Sequence, residues 1–429
     1  MNILIFNNIS PFEASGIVGL DLYNGFKNKG HNVKLLVNNY YPDYPEGIVG
    51  VETYYRLKKK EILKKIRRRL KLRKTIITDP NYHLHELFEQ KVIYKTSKLL
   101  KIARIQADAI VVLFAKDFIN TRNIYELSKE TNAPIYWLMY DMAPLTGGCH
   151  YAWDCAGYQN RCGNCPGLFS SDPFDATFTN LEYKKKYVDI TNIHLIAASE
   201  WQYRQAKLSS LFRNKTIHKI LLSVDSAVFK PLNKEKLRLE MGVSDTKRII
   251  FFGSVYLAHL RKGMYYLLES LKLLDDKIKG TELENNILLL IAGMGIEEIV
   301  ESLPFEYHYL GMLDNRHGIA SAYQAADIFI CPSIEDTGPS MINQSIMCGT
   351  PVVAFEMGVA LDLVITGKTG YRAKLKDSDD LAQGLYNVLT LENDKYQELS
   401  GCCRELALEL CAPDVQIEIF EDILQKPKS

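Results

Sequence analysis

One stretch of 28 residues, 328–355, constrains the fold of this chain more than any other. Ile328–Ile330 and Pro351–Phe355 are short apolar runs of the kind that form buried β-strands. Between them, turn residues precede a helix-length piece, Ser340–Cys348, and Gly349 follows it as a helix stop. The pattern predicts a strand, a loop that carries two acids, a helix and a second strand.

The loop of such a unit lies at the carboxyl edge of a parallel sheet, where the next helix presents free backbone N–H groups and the positive end of its dipole. A nucleotide diphosphate suits this position. Glu335 and Asp336 can hold hydroxyls of a neutral group beside it, and Gln344 can reach a further hydroxyl. An ordinary βαβ crossover with acids on a solvated turn is the alternative. The backbone expected to meet the phosphates runs through Gly338, Pro339, Ser340 and Met341.

The stretch resembles the donor-binding signature of family-4 retaining glycosyltransferases, which have two Rossmann-like domains facing across a cleft (GT-B). The shared residues are Pro332 and Ser333, an acid that aligns with Asp336, and the run MCGTPVVAF at 347–355. Where the family has a second Glu that accepts hydrogen bonds from the ribose hydroxyls, this chain has Gln344. Because an amide offers one acceptor oxygen and no charge, this departure bears on nucleotide affinity and identity.

Two cations, Arg261 and Lys262, end a loop that follows a further predicted strand, Arg248–Phe252, and precedes a helix. Such a pair can neutralise a diphosphate, and a solvated surface pair is the alternative. In the family that the chain resembles, the matching pair binds the donor phosphates and stabilises the departing nucleotide diphosphate in place of a divalent metal. The resemblance therefore implies catalytic roles for this pair and for Glu335 and Asp336, without a catalytic metal.

The chain opens with a predicted strand, Ile3–Phe6, a polar loop and a helix that begins at Gly16. Glycine there lets the backbone approach a phosphate or sugar closely, although many strand-to-helix turns need glycine for geometry alone. Strands and helices go on alternating, and one long helix is predicted at about 87–105. We predict two Rossmann-like α/β domains. They span 1–222, with a Cys-rich insertion at 145–170, and 223–410, and the resemblance implies a helix at 411–429 that crosses back.

Four cysteines in a glycine-rich stretch have the spacing C-x5-C-x6-C-x2-C, and CGNC forms the kind of knuckle that places two thiolates on one metal. The stretch has too few apolar residues to form a hydrophobic core of its own. Zinc binding would supply the free energy that stabilises its folded form. Two disulfides and an iron–sulfur cluster are the alternatives. Four thiolates complete a tetrahedral shell, so the zinc would be structural, and His150 is a possible replacement ligand. The cysteines are Cys149, Cys155, Cys162 and Cys165.

The segment 56–74 carries twelve Lys or Arg and one acid, a net charge of +11, in a chain whose net charge is +1. Ile62, Ile66 and Leu70 would form a narrow apolar stripe on a helix with a broad cationic face. This pattern is typical of a helix on an anionic membrane surface, and a solvated helix face is the alternative. Nucleic acid is not expected, because the chain is nearly neutral and has no known reader motif.

Composition and the N-terminal residues indicate the class of protein and its expected location. Hydrophobic content of 47% with 24% charged residues is that of a globular protein, and no apolar run approaches a membrane span. MNILIFNN lacks the features of a signal peptide, so we expect a cytoplasmic chain, peripheral on the inner face of the membrane, with reduced or metal-bound cysteines.

The resemblance implies a retaining glycosyltransferase that uses a nucleotide-diphosphate sugar and front-face attack, in which the leaving phosphate takes the acceptor proton. The basic segment suggests an acceptor at the membrane, such as a polyprenyl-diphosphate-linked saccharide in surface polysaccharide assembly. The alternatives are a nucleotide-sugar epimerase of the same fold, a catalytically silent scaffold because of Gln344, and an interaction module built on the cysteines and the basic helix.

Overall fold

The computed structural model describes residues 1–13, 16–52, 77–84, 87–338 and 340–425. The predicted basic helix at 56–74 and the predicted phosphate contact at Pro339 lie outside the described residues. Within the described chain, residues group into two units. The described residues of the first unit fall within 1–198, 202–220 and 420–425, and those of the second fall within 199–201 and 221–419.

The first unit is built on a seven-stranded sheet in the order β3-β2-β1-β4-β5-β6-β7, and every neighbouring pair is parallel. Its central strands are apolar and buried on both faces, which explains why they appear in the sequence as continuous Val, Ile and Leu runs rather than alternating ones. The strands are β1 (Asn2–Asn7), β2 (Asn32–Val37), β3 (Ile48–Gly50), β4 (Ala109–Val112), β5 (Ile135–Leu138), β6 (Ile193–Ala197) and β7 (Thr216–Lys219).

The second unit has a six-stranded parallel sheet in the order β10-β9-β8-β11-β12-β13. Phe251, Tyr323 and Phe329 pack ring against ring in its core, with centroids 5.1–5.7 Å apart. The strands are β8 (Arg248–Tyr256), β9 (Ile287–Met294), β10 (Glu306–Tyr309), β11 (Ile328–Cys331), β12 (Val352–Phe355) and β13 (Gly370–Ala373). The prediction of two parallel-sheet α/β domains is confirmed.

α-Helices connect most successive strands in both units, as is usual for parallel pairs, whereas β2–β3 and β9–β10 are joined without one. In chain order they are α1 (Ile17–Asn28), α2 (Thr96–Ala103), α3 (Thr121–Thr131), α4 (Gly157–Asn160), α5 (Ala176–Val188), α6 (Glu200–Leu208), α7 (Lys234–Glu240), α8 (Met264–Ile278), α9 (Arg316–Ala325), α10 (Ser340–Met347), α11 (Ala360–Leu363), α12 (Ser378–Leu389), α13 (Asn393–Cys411) and α14 (Pro413–Gln425). No helix in the described ranges is both long enough and apolar enough to cross a membrane.

The predicted long helix at 87–105 is wrong in its first half, because only Thr96–Ala103 is helical. The buried Glu89 explains the difference. Its carboxylate accepts hydrogen bonds from the backbone N–H and hydroxyl of Thr121, at 2.7 and 2.8 Å. Its carbonyl accepts another from the Asn120 side chain at 2.7 Å. These contacts tie Glu89 to the start of α3, so the chain there forms a turn instead.

Candidate functional site

Two loops of the second unit meet at the carboxyl edge of its sheet. One follows β8 and contains Arg261 and Lys262, and the other follows β11. The carbonyl of Arg261 accepts hydrogen bonds from the backbone N–H of Ile334 at 2.9 Å and of Glu335 at 3.3 Å. At Gly263, which has φ +69°, an added Cβ would lie 1.8 Å from the carbonyl oxygen of Pro332. Glycine there permits both the left-handed turn and the close approach of the two loops.

Asp336 accepts hydrogen bonds from both predicted phosphate-binding cations. Its Oδ2 atom lies 2.9 Å from Nη1 of Arg261 and 2.6 Å from Nζ of Lys262. All three side chains are largely buried, since 18% of each cation and 8% of the carboxylate is exposed. The Asp336 cluster, defined as these three side chains, places the predicted acid and the predicted cations together although the sequence separates them by more than seventy residues.

Electrostatics follow from this geometry. Burial by itself would raise the pKa of the Asp336 carboxyl, but Lys262 and Arg261 outweigh burial and hold that pKa below its ordinary value. Burial together with the same two cations lowers the pKa of the neighbouring His259 imidazole. Asp336 is therefore an ionised acceptor, and the imidazole favours its neutral form beside the two cations.

The remaining predicted site residues of this loop lie around the start of α10. The backbone N–H of Gly338 donates to Oδ1 of Asp336 at 3.4 Å, Ser340 is exposed, and Met341 packs on the core of the second unit. Gln344 lies one to two turns into α10, where its Oε1 accepts a hydrogen bond from the Tyr323 hydroxyl at 3.4 Å. Glu335 is 6% exposed.

A cavity opens beside this cluster between the ends of β8 and β11. Its lining includes Gly253, Lys262, Ser333 and Met341. The lining thus combines a cation, a hydroxyl and apolar side chains at the edge where parallel sheets bind their ligands. The arrangement can hold an anionic group against Lys262.

Gly16, the predicted glycine of the first loop, belongs to the first unit. It caps α1 without a side-chain hydrogen bond, and an added Cβ would lie 1.8 Å from the Ser10 carbonyl oxygen. Packing of its own loop therefore accounts for this glycine. Its predicted contact with the ligand stays a prediction.

The four predicted metal-ligand cysteines line one cavity of the first unit, together with Tyr82, Gly147 and Tyr158. All nine cysteines of the chain fall within the described ranges, and all are free thiols. However, in the part of the chain that the structure describes, no three His, Cys, Asp or Glu side chains are grouped closely enough to hold a metal ion. The structure therefore does not support the predicted zinc, which stays a prediction.

The His150 imidazole contacts the Asp141 carboxylate. Its Nδ1 lies 2.6 Å from Oδ2 of Asp141, and both side chains are less than a tenth exposed. The backbone N–H of Ala143 donates to the other carboxylate oxygen at 2.8 Å. The pair lies just beyond the end of β5, at the carboxyl edge of the first sheet. Sequence reasoning singled out His150 as a possible metal ligand but did not pair it with Asp141, because a turn between the two residues brings them together.

Comparison with known proteins finds similarity to glycosyltransferases in part of the chain. Residues 246–391, about a third of the chain, match the model described as glycosyl transferases group 1. The phosphatidyl-myo-inositol mannosyltransferase of Mycobacterium leprae is 32% identical over 159 residues, which cover 35% of this chain and 39% of that protein. The chain thus spans about two fifths of the length of this and similar curated relatives.

Two solved structures share the architecture over nearly the whole chain. Sucrose-phosphate synthase from Thermosynechococcus elongatus has a TM-score of 0.67 at 16% identity and covers 99% of this chain and 98% of its own. HepE from Anabaena, in complex with UDP and glucose, has a TM-score of 0.63 at 15% identity, covering 99% and 100%. The fold is that of GT-B structures, and the second unit contains the glycosyl transferases group 1 region.

Proposed function

We propose that this protein is a retaining glycosyltransferase that moves a sugar from a nucleotide-diphosphate sugar to a saccharide or a lipid-linked saccharide. The observation that carries the proposal is the Asp336 cluster, two cations converging on one buried carboxylate beside a cavity at the carboxyl edge of the second sheet. The cluster lies inside the region that matches glycosyl transferases group 1, which supports a sugar-transfer activity.

Each residue has a role in the proposed reaction. Arg261 and Lys262 hold the diphosphate, with the backbone from Gly338 to Met341, which includes Pro339 and Ser340. Asp336 orients the two cations. The carboxylates of Glu335 and Asp336 accept hydrogen bonds from hydroxyls of the sugar. The side-chain amide of Gln344 forms a hydrogen bond with a ribose hydroxyl.

The transfer balances without a metal or a protein base. The bond between the anomeric carbon and the phosphate oxygen breaks, and its electron pair leaves with the nucleotide diphosphate. The acceptor hydroxyl oxygen forms the new bond on the same face, and its proton passes to the departing phosphate. Arg261 and Lys262 lower the barrier because negative charge grows on that phosphate as the bond breaks.

The acceptor side of the proposal depends on the sequence of segment 56–74. With a net charge of +11, this segment suits an anionic membrane surface, to which each basic residue contributes about 1 kcal/mol. We therefore extend the proposal to an acceptor held at the cytoplasmic face of a membrane, such as a polyprenyl-diphosphate-linked saccharide in surface polysaccharide assembly. Replacing the basic residues of 64–74 by Gln should abolish sedimentation with vesicles that contain phosphatidylglycerol. Unchanged sedimentation would remove this extension and leave the transferase proposal intact.

The central experiment is nucleotide binding by titration calorimetry, with UDP, GDP, ADP and their sugars as probes. Wild type is compared with Arg261→Gln and Lys262→Gln, which remove charge but keep a polar side chain beside Asp336. Lys272→Gln is the matched control, because Lys272 is exposed on α8 of the same unit. We expect one nucleotide family to bind, each cluster variant to weaken it about tenfold or more, and the control to bind as wild type does.

Two further measurements decide between transferase and its alternatives. Donor turnover that requires a saccharide acceptor, with product of unchanged anomeric configuration by NMR, supports a retaining transferase. Turnover of donor alone to an epimer would point to an epimerase. No nucleotide binding by folded wild type would overturn the proposal in favour of the scaffold.

A further inference from the structure

Three aromatic rings form a mutually packed cluster on the first unit, and two of them are about half exposed. The Phe12 ring lies 5.1 Å from Tyr41 in an edge-on contact and 5.5 Å from Tyr44 in a stacked one, with the two tyrosines 5.9 Å apart. Phe12 is 55% exposed and Tyr41 50% exposed, and Tyr40 beside them is 45% exposed. We call Phe12, Tyr40, Tyr41 and Tyr44 the aromatic platform.

The platform is held in place by its own loops. They follow β1 and β2, so the platform lies toward the carboxyl edge of the first sheet. The Tyr44 hydroxyl lies 3.2 Å from the Ser10 hydroxyl and 3.1 Å from the Asn39 carbonyl oxygen, which anchors its ring between the loops. At Gly50, an added Cβ would lie 2.5 Å from the Cα atom of Tyr40. Ordered rings cost little conformational entropy when they bind a partner.

Composition limits what this surface can bind. The two loops, 8–13 and 38–47, contain three acids and no Lys or Arg, and their one Leu, Ile, Val or Met side chain is Ile9, which is partly buried. A surface that inserts into lipid carries aliphatic side chains and basic residues, and this one has the opposite charge. Glu13, Asp43 and Glu46 are exposed around the rings, so an anionic ligand would be repelled.

An uncharged saccharide fits both properties. A pyranose ring has an apolar face of axial C–H groups, which packs on an aromatic face, and a rim of hydroxyls, which donate to carboxylates. Exposed aromatic rings supply the first contact, and Asp43 and Glu13 supply the second. We infer that the aromatic platform binds a neutral saccharide, as the site that holds the acceptor glycan. The assignment of the saccharide as an acceptor rests on the proposed function, because only a transferase has an acceptor. Binding of a saccharide to the platform does not depend on that function.

The test measures saccharide binding without any nucleotide. The probe is an array of neutral and acidic oligosaccharides, followed by titration calorimetry with the strongest binder. Phe12→Ser and Tyr41→Ser each remove an exposed ring, and Phe88→Ser, which removes a 68% exposed ring elsewhere on the first unit, is the control. We expect binding of neutral glycans, a loss of about two- to tenfold for each platform variant and a larger loss for both together. The control should match wild type.

Folding is checked on each variant by its melting temperature, because Phe12 also packs on Tyr44. Should Phe12→Ser melt early, Tyr40→Ser and Tyr41→Ser carry the test, since both rings are exposed. Undiminished glycan binding in folded platform variants would overturn the inference. So would preference for acidic glycans, binding to phosphatidylglycerol vesicles that the variants abolish, or no glycan binding at all by wild type.

These outcomes are separable from those of the proposed function. Nucleotide binding that depends on Arg261 and Lys262, together with glycan binding that ignores the platform, would leave a transferase whose acceptor binds elsewhere. Glycan binding that depends on the platform, with no nucleotide binding, would leave a saccharide-binding protein and remove the transferase.

Discussion

Lys262 Nζ lies 2.6 Å from Oδ2 of Asp336, and Nη1 of Arg261 lies 2.9 Å from the same oxygen atom. One carboxylate oxygen thus receives both cations of a loop that precedes it by more than seventy residues. The acid stabilises the loop that carries the cations, and the cations keep the acid ionised although it is buried. Changes at any of the three residues should therefore affect both stability and anion binding.

Asp336→Asn should lower stability at neutral pH and lose that effect in acid. The folded pKa of Asp336 lies below its unfolded value of about 3.9, so its ionised form adds stability above that pH. This contribution is lost as the pH falls through the folded pKa. We expect the variant to be less stable by about 1–3 kcal/mol at pH 7 and the difference to vanish in strong acid. Urea unfolding of both proteins between pH 7 and pH 2.5 measures this.

Asp276→Asn is the control for that experiment, because Asp276 forms a surface ion pair with Lys279 and is 69% exposed. Exposed pairs contribute about 0–1 kcal/mol. A difference between Asp336→Asn and wild type that persisted unchanged below the ordinary range of carboxyl pKa values would contradict the assignment of charge to Asp336.

Gly263→Ala should destabilise the second unit far more than Gly280→Ala does. Both glycines have a positive φ, +69° and +74°, so both substitutions share the cost of placing Ala there, about 1 kcal/mol. Only at Gly263 would the new Cβ meet a backbone atom, the Pro332 oxygen at 1.8 Å, whereas nothing lies within 4 Å at Gly280. Gly263→Ala must move the loop that carries Asp336, so nucleotide affinity should fall as well. Calorimetric melting and nucleotide titration check the two effects.

Equal destabilisation by the two substitutions would show that the loops separate easily. In that case the approach of 261–263 to 332–335 would not define the site. Nucleotide affinity that survived in a destabilised Gly263→Ala protein would remove the Asp336 cluster from the binding machinery.

Local sequence patterns predict part of this structure, and contacts between residues that are distant in sequence determine the rest. The strand, loop, helix and strand of 328–355 appear where the sequence predicts them, because apolar runs and turn residues report on their own neighbourhood. The helix predicted at 87–105 fails in its first half because Glu89 bonds to Thr121, a residue that no local pattern contains.

The candidate site also has a part that the sequence predicts and a part that depends on contacts between distant residues. Residue types and spacing pointed to Arg261, Lys262 and Asp336, but not to their shared oxygen atom, since strand order decides which loops meet. The aromatic platform escaped the sequence analysis because Phe12 and Tyr41 belong to loops after different strands. Three aromatic residues within 40–44 were the available signal.

Gln344→Glu should strengthen binding of nucleotides through their ribose. The Gln344 amide has one acceptor oxygen, and in the structure that oxygen accepts from the Tyr323 hydroxyl at 3.4 Å. A carboxylate has a second oxygen and a charge, so it can keep this bond and accept from a ribose hydroxyl. We expect the affinity for a nucleoside diphosphate to rise about tenfold and that for its 2′-deoxy,3′-deoxy analogue to stay unchanged. Titration of both ligands against both proteins tests this. An equal gain for the two ligands would show that Gln344 does not face the ribose.

In the cysteine-lined cavity of the first unit, burial raises the pKa of the Cys149, Cys162 and Cys165 thiols. The backbone of Leu168 and Gly167 opposes this rise in the pKa of Cys165, and the backbone of Gly147 opposes it in the pKa of Cys162. The ammonium group of Lys184, which is buried and donates to the Ala143 carbonyl at 2.7 Å, lowers the pKa of Cys162, although burial outweighs it and raises that pKa to about 12.

The cysteine spacing predicts one zinc ion per chain, whereas the described residues form no metal site. The zinc content of protein purified without chelator, measured by elemental analysis together with protein concentration, tests the prediction. Cys162→Ser and Cys165→Ser should each lower the zinc content and the melting temperature, because zinc binding would contribute to folding. Cys402→Ser is the control, since Cys402 lies in α13, in the second unit. Iron with visible absorbance would identify an iron–sulfur cluster instead, and fewer than nine alkylated thiols in denatured protein would identify disulfides. A metal-free protein with nine reactive thiols would contradict all three alternatives for the four cysteines, namely zinc, an iron–sulfur cluster and disulfides.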